Sequence, residues 1–170
     1  MPASRALLII DVQHAFLTRN TAPAVSAIVR LVEQGDYDLF VTAQYGKAAM
    51  PHKRAMQKSL WERAYGHLHR SNQILPAVQE ALGDRRVLQV AKSSRSLFGD
   101  GTRLATALRR RGVNEVHVIG FETHDCVLAT AFDAFDHNFT TYVIARACAS
   151  KRRSRHDAAL QILRSANMLK

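Results

Sequence analysis

Acidic residues are scarce in this chain: Asp and Glu number 14 against 24 Lys and Arg, a formal net charge of +10. Such an excess can serve nucleic acid or an acidic partner. However, zinc-finger spacing and an aromatic RNA-binding signature are both missing. The cations gather at Arg109-Arg110-Arg111, closing a helical pattern where positive charge suits the helix dipole, and at Lys151-Arg152-Arg153-Ser154-Arg155, in a connection. We therefore read them as a solvated face or subunit contact, and nucleic acid is not expected as a partner. Cysteine is nearly absent. Cys126 and Cys148 are too few for a disulfide framework, make no Cys-x-x-Cys pair for redox exchange, and read as free thiols. No apolar run approaches the ~20 residues of a membrane helix. The early run Ala6–Ile10 is shorter than the ~7–15 residues of a signal-peptide core and is ended by Asp11. No export signal shows, and a cytoplasmic location is expected. Internal repeats, low-complexity tracts and interdomain linkers are absent too. The 170 residues, 47% hydrophobic and 22% charged, fit one globular domain over 1–170.

Short apolar runs alternate with helical patterns. Ala6–Asp11, Leu39–Thr42, Val87–Ala91, Val116–Ile119 and Thr141–Ala145 lack a clean polar alternation, as strands covered on both faces do. Between them, Val25, Ile28, Val29 and Val32 share one helical face, and Ile74, Leu75, Val78 and Leu82 another, with Pro76 near its start. Leu104, Ala107 and Leu108 mark a third helix, with Gly112 as its C-terminal stop. Two more are expected over about 125–136 and 155–166. This alternation implies an α/β fold: a single-domain three-layer αβα sandwich around a mainly parallel, Rossmann-like sheet of five or six strands, with helices on both faces. One connection, from 44 to about 70, breaks the rhythm. It carries Tyr45, Pro51, His52, Trp61, Tyr65, His67 and His69, and its length suits a lid, binding loop or subunit contact.

Ligands of parallel sheets bind past the carboxyl ends of the strands. Asp11 follows Ile10, Lys92 follows Ala91, and Gly120–Cys126 follow Ile119. An acid, a base and a thiol thus emerge on one sheet edge. Gly120 permits a sharp exit from its strand, and Thr123 or Asp125 can cap the following helix. Cys126 then stands in the first turn, where the helix dipole and Lys92 favour thiolate. Cys148 has no such company and reads as structural. A phosphatase would need Arg six positions after the cysteine, where Phe132 stands. A Cys–His pairing through His124 is disfavoured, because that residue is too near Cys126 in sequence to face it.

These residues match a known pattern. Asp11-Val12-Gln13-His14-Ala15-Phe16 resembles the opening Asp-x-Gln-x-x-Phe motif of the isochorismatase-like hydrolases. Lys92-Ser-Ser-Arg-Ser-Leu-Phe98 resembles their lysine motif, and Gly120-Phe-Glu-Thr-His-Asp-Cys-Val127 their cysteine motif. The resemblance extends over almost the whole chain. It implies a catalytic group of Asp11, Lys92 and Cys126, and an oxyanion hole made by the backbone N–H groups of Glu122 and Cys126. It also implies a cis peptide at Phe121–Glu122, an apolar substrate wall from Phe16 and Phe98, to which Phe121 is a further candidate, and a homo-oligomer closed by the 44–70 connection.

Departures from the pattern bear on substrate. Nicotinamidase relatives hold a metal through Asp-x-His and a second His after the second strand. Here Gln44 and Gly46 occupy the first two places, and His52 alone cannot make a site. His67 and His69 read as polar loop residues. No metal and no cofactor are expected. The resulting expectation is a metal-independent cysteine hydrolase that cleaves a C–N bond of a small amide or carbamoyl compound through a thioester. The alternatives are a non-covalent isochorismatase-type hydrolase and a non-catalytic ligand-binding or partner-binding member. Glu122 leaves two readings open: a carboxylate repelling acidic substrates, or one folded away from the pocket.

Overall fold

The computed structural model describes residues 4–46, 73–99 and 102–170. Five strands form one sheet: β1 (Ser4–Ile10), β2 (Leu39–Tyr45), β3 (Val87–Lys92), β4 (Val113–Phe121) and β5 (Thr140–Ala149). Their order is β3-β2-β1-β4-β5, and every pairing is parallel. The central strand, β1, is buried from Ala6 to Ile10, which accounts for a run with no polar alternation. The described helices are α1 (Ala22–Gln34), α2 (Pro76–Leu82), α3 (Leu104–Arg109), α4 (Leu128–Asp136) and α5 (Arg153–Ser165). Ala24, Ile28 and Val32 form the buried face of α1, with Val25 and Val29 flanking it.

The chain runs outward from β1 through β2 to β3, then returns to β4 beside β1 and moves out again to β5. Right-handed crossovers place the helices that follow β1 and β2 on one face and those that follow β3 and β4 on the other. Accordingly α1 packs against α2, and α4 against β4 and β5. The direction reverses between β1 and β4, and that crevice is where parallel sheets receive ligands.

Several boundaries differ from the sequence pattern. β2 reaches Tyr45 rather than Thr42, because Gln44 and Tyr45 pair in register with Ala91 and Lys92. Of the connection expected from residue 44, the segment 47–72 lies outside the described residues, and with it Pro51, His52, Trp61, Tyr65, His67 and His69. β5 continues to Ala149, and α5 begins at Arg153. Past α5 the chain lies along β5: Val143 N–H donates to Met168 O at 2.7 Å, and Lys170 N–H donates to Val143 O at 2.9 Å. The C-terminal residues thereby cover the outer edge of the sheet.

Gly120 serves close approach, not a sharp exit. It lies within β4 opposite Ile10, at φ +120°, and a Cβ there would stand 2.1 Å from the Ile10 carbonyl oxygen. The β4–β5 register shifts between Val118 and Gly120. The chain then leaves β4 through Phe121.

Candidate active site

Asp11 is the first residue past β1. It is fully buried and adopts φ +49°, a left-handed conformation that Asp tolerates better than most residues. Lys92 ends β3, two strands away, and is also fully buried. Its side chain passes the Tyr45 ring, with Nζ 4.7 Å from the ring centroid, and donates to Asp11 Oδ2 at 2.8 Å. The same ammonium donates to the carbonyls of Ser94 and Arg95, each at 3.1 Å. Three acceptors thus match its three donors, which lets a charge persist without water.

Cys126 comes from β4, the strand beside β1. It lies in a π-helical turn, Thr123–Val127, that leads into α4. Such turns recur at functional sites. The thiol interacts with both the Asp11 carboxyl group and the Lys92 ammonium. Asp11 Oδ1 is buried without a hydrogen-bond partner among the described residues. The three expected catalytic residues therefore meet in one buried cluster.

Electrostatics revise the expected state of the thiol. Burial, reinforced by the Asp11 carboxylate, pushes Cys126 well above the ordinary thiol range, against the pull of Lys92. The resting sulfur is protonated, and the helix dipole does not reverse this. Burial also raises Asp11, although Lys92 opposes the shift. For Lys92, burial favours the neutral form, but Asp11 and Cys126 outweigh it and hold the ammonium above the usual lysine value. The result is a thiol with a strengthened carboxylate base beside it.

The expected caps are engaged elsewhere. Thr123 Oγ1 hydrogen-bonds His156 Nδ1 at 2.8 Å, and Asp125 pairs with Arg95. His124 turns toward β5, with Nδ1 3.1 Å from Ser150 Oγ. Glu122 folds toward the loop after β5, where Oε2 accepts from Lys151 N–H at 2.9 Å. Burial raises its pKa. The Phe121–Glu122 peptide is cis. Glu122 N–H donates to no backbone acceptor among the described residues.

Over Cys126 opens a small cleft lined by Phe16, Tyr45, Arg95, Glu122, Asp125 and Cys126, with ≈ 20 Å³ of space, about enough for one water. Phe16 lines it, as expected. Phe98 does not: its ring packs on His137 and Phe139, at 5.3 and 6.0 Å, where the far end of α4 meets β5. Phe121 is also absent from the lining, because its ring is fully buried in the core. Two other residues take part. Tyr45 forms a wall, meeting Phe16 edge-on at 6.3 Å. Gln13 fixes that wall: its Oε1 accepts from Tyr45 N–H at 2.9 Å, and its Nε2 donates to Tyr45 O at 3.4 Å. Gln13 could be found from its motif. Tyr45 is expected only as part of the long connection from residue 44, because the strand pattern fades after Thr42, whereas in the structure it ends β2.

A family model of the isochorismatase domain matches residues 5–169. The chain belongs to the isochorismatase family. Within it, an uncharacterised isochorismatase-family protein of Bacillus subtilis is 37% identical over 87 residues, covering 51% of this chain and 47% of that protein. A nicotinamidase/pyrazinamidase of Mycobacterium tuberculosis is 39% identical over 69 residues, covering 41% of this chain and 37% of that protein. Each match thus spans less than half of the curated relative. Among solved structures, a pyrazinamidase/nicotinamidase of Streptococcus mutans superposes with a TM-score of 0.75 at 25% identity, covering 98% of this chain and all of the other. A nicotinamidase/pyrazinamidase of Bacillus subtilis superposes with a TM-score of 0.76 at 23% identity, covering 96% of each, and shows the shared isochorismatase fold.

Two of the places expected to differ from nicotinamidase-type members, Gln44 and Gly46, lie among the described residues. Gly46 offers no side-chain ligand, and Gln44 offers an amide where a carboxylate belongs. Among the described residues, no three His, Cys, Asp or Glu side chains converge to hold an ion.

Proposed function

We propose that this chain is a cysteine hydrolase cleaving the C–N bond of a small amide or carbamoyl compound through a thioester on Cys126, with no metal in the step. The observation that carries this reading is the buried contact of the Cys126 thiol with a raised carboxylate, Asp11, which Lys92 holds in place. Asp11 accepts the thiol proton as sulfur attacks the carbonyl carbon. The oxygen that becomes negative is met by the N–H groups of Glu122 and Cys126, of which that of Glu122 donates to no backbone acceptor among the described residues. Asp11 returns the proton to the departing nitrogen, the C–N bond breaks, and ammonia or an amine leaves. Water, deprotonated by Asp11, then splits the thioester and restores the thiol.

Phe16 and Tyr45 favour a substrate with a small apolar or planar body in this reading. The relatives called nicotinamidase fit an amide-cleaving chemistry, while the missing metal ligands argue against nicotinamide itself. The protein is read as one domain and as a homo-oligomer, with Phe132 and Phe135 of α4 offering exposed apolar contact. Two buried free thiols accord with a reducing, cytoplasmic setting.

The test is ammonia release from a panel of small aliphatic, aromatic and carbamoyl amides, with and without a chelator. The expected result is turnover that survives chelation, disappears in Cys126→Ala, and leaves an acyl mass on Cys126 when quenched early. Loss of turnover on chelation would remove metal independence. Full turnover in Cys126→Ala would remove the covalent route and favour the non-covalent alternative.

A further inference from the structure

A second cavity lies apart from the cleft over Cys126. It occupies ≈ 350 Å³ between the first turn of α1, the end of β5 and the first turn of α5, within the size range of small-ligand pockets. Its floor is Cys148 and Ser150, both nearly inaccessible. Its polar wall is Arg19, Asn20, Arg153 and His156, and no carboxylate is among its lining residues. Arg19 has no anionic partner among the described residues, and Arg153 is only loosely engaged by Asp157 on its own helix, at 3.1 Å and largely exposed. Two guanidinium groups therefore share one concavity with nothing negative between them.

His156 adds direction. Burial holds its pKa below the ordinary histidine value, so it is neutral near pH 7. His156 Nδ1 shares a hydrogen bond with Thr123 Oγ1 at 2.8 Å, which leaves Nε2 as the ring nitrogen open to a ligand. Neither α1 nor α5 has a side-chain cap or an acidic residue in its first turn, so nothing local neutralises the positive ends of these two helices. Paired guanidinium forks, an imidazole nitrogen and the Asn20 amide suit a compact dianion better than a monovalent carboxylate. A bare phosphate would leave much of the space unfilled, so the ligand carries more than its anionic group.

We propose that this cavity binds the phosphoryl group of a small phosphorylated metabolite. The site does not depend on the catalytic reading, although it adjoins the catalytic turn. His156 bonds Thr123, Asn20 Nδ2 donates to Lys151 O at 2.7 Å, and Lys151 N–H donates to Glu122. Binding at the cavity thus touches Glu122 and Thr123, at the start of the Glu122–Cys126 segment.

The experiment is calorimetric titration of the full chain with inorganic phosphate and with ribose 5-phosphate, at pH 7 and constant ionic strength, with acetate as the carboxylate arm. The expected result is saturable one-site binding of both phosphates, tighter for ribose 5-phosphate and at least about tenfold tighter than acetate. That binding should weaken about tenfold or more in Arg19→Ser/Arg153→Ser and persist in Arg111→Ser, a surface control in the turn after α3. Circular dichroism confirms that each variant is folded. Absence of saturable binding, undiminished binding in the double variant, or acetate binding as tightly as phosphate would overturn the proposal.

Discussion

A lysine with no exposed surface keeps its charge only because every one of its protons has an acceptor. Lys92 meets that condition through Asp11, Ser94 and Arg95. Removing either member of the Lys92–Asp11 pair leaves the other buried without compensation, which costs about 3–5 kcal/mol. Lys92→Met should therefore lower stability by about that amount, and Asp11→Asn/Lys92→Met should recover part of it. Urea unfolding of the two single variants and the double variant checks this, because additive losses would mean the pair is not coupled. The motif residues Asp11, Lys92 and Cys126 were legible because each is a polar residue near the end of an apolar strand. Their protonation was not legible: a helix-start cysteine suggested a thiolate, whereas complete enclosure beside a carboxylate keeps the thiol. Phe98 misled for a similar reason. Spacing placed it near the lysine, but the chain after Lys92 turns its ring toward Phe139.

A second residue cluster lies at the opposite end of the sheet. His117 Nε2 is 2.7 Å from Glu115 Oε1, Tyr37 Oη is 2.8 Å from His117 Nδ1, and Arg5 and Lys170 approach Glu115. Burial and the Lys170 charge depress His117 below its ordinary 6.5, despite Glu115. For Glu115, burial is outweighed by Arg5, Lys170 and His117, so it falls below its ordinary 4.5. Both shifts act in one direction. The unfolded chain binds these protons more tightly, so the stability they confer is complete at neutral pH and is lost on acidification. The His117 share is lost as pH falls below 6.5, and the Glu115 share below 4.5. His117→Gln should flatten the stability profile between pH 7 and 5, read by thermal melts across that range. An unchanged slope would assign the acid sensitivity elsewhere.

At the scale of elements, the alternation of strands and helices followed from hydrophobic period alone, but the ends did not. β2 and β5 both outrun their apolar patterns: Gln44 and Tyr45 still pair with Ala91 and Lys92, and Cys148 and Ala149 resume pairing with Gly120 and Phe121 past an irregularity. The expected helix over 125–136 divides into a π-helical turn and α4, since Thr123 and Asp125 bond to His156 and Arg95 instead of capping the backbone. The element most sensitive to change is β4 at Gly120. Gly120→Ala would combine a left-handed φ with a clash against Ile10, at a cost of about 2–5 kcal/mol. Guanidinium unfolding should show a clear drop in midpoint, while Gly112→Ala, with open space around it, should cost less.

For the whole molecule, the topology explains why a sequence-wide motif set can specify one site. The sheet reverses direction between β1 and β4, so residues 115 positions apart come to face each other across one crevice. Strand order was not written in the sequence, but the rule that parallel sheets bind ligands past their carboxyl ends was enough to group Asp11, Lys92 and Cys126. What that rule could not supply was the wall contributed by Tyr45 or the cavity behind the nucleophile turn, since both depend on how separate segments abut.

Asp11, Lys92 and Cys126 each belong to a different strand or its exit, namely β1, β3 and β4, and β2 lies between the first two in the chain. No contiguous fragment short of nearly the whole sheet can therefore bring thiol, carboxylate and ammonium together. A slip of β1 by one residue against β4 would move Asp11 by about 3.3 Å and turn it to the other face. In the proposed reading, turnover at Cys126 therefore reports assembly: a nascent or misregistered chain holds the thiol without its base, and hydrolysis begins only once β1, β3 and β4 are in place.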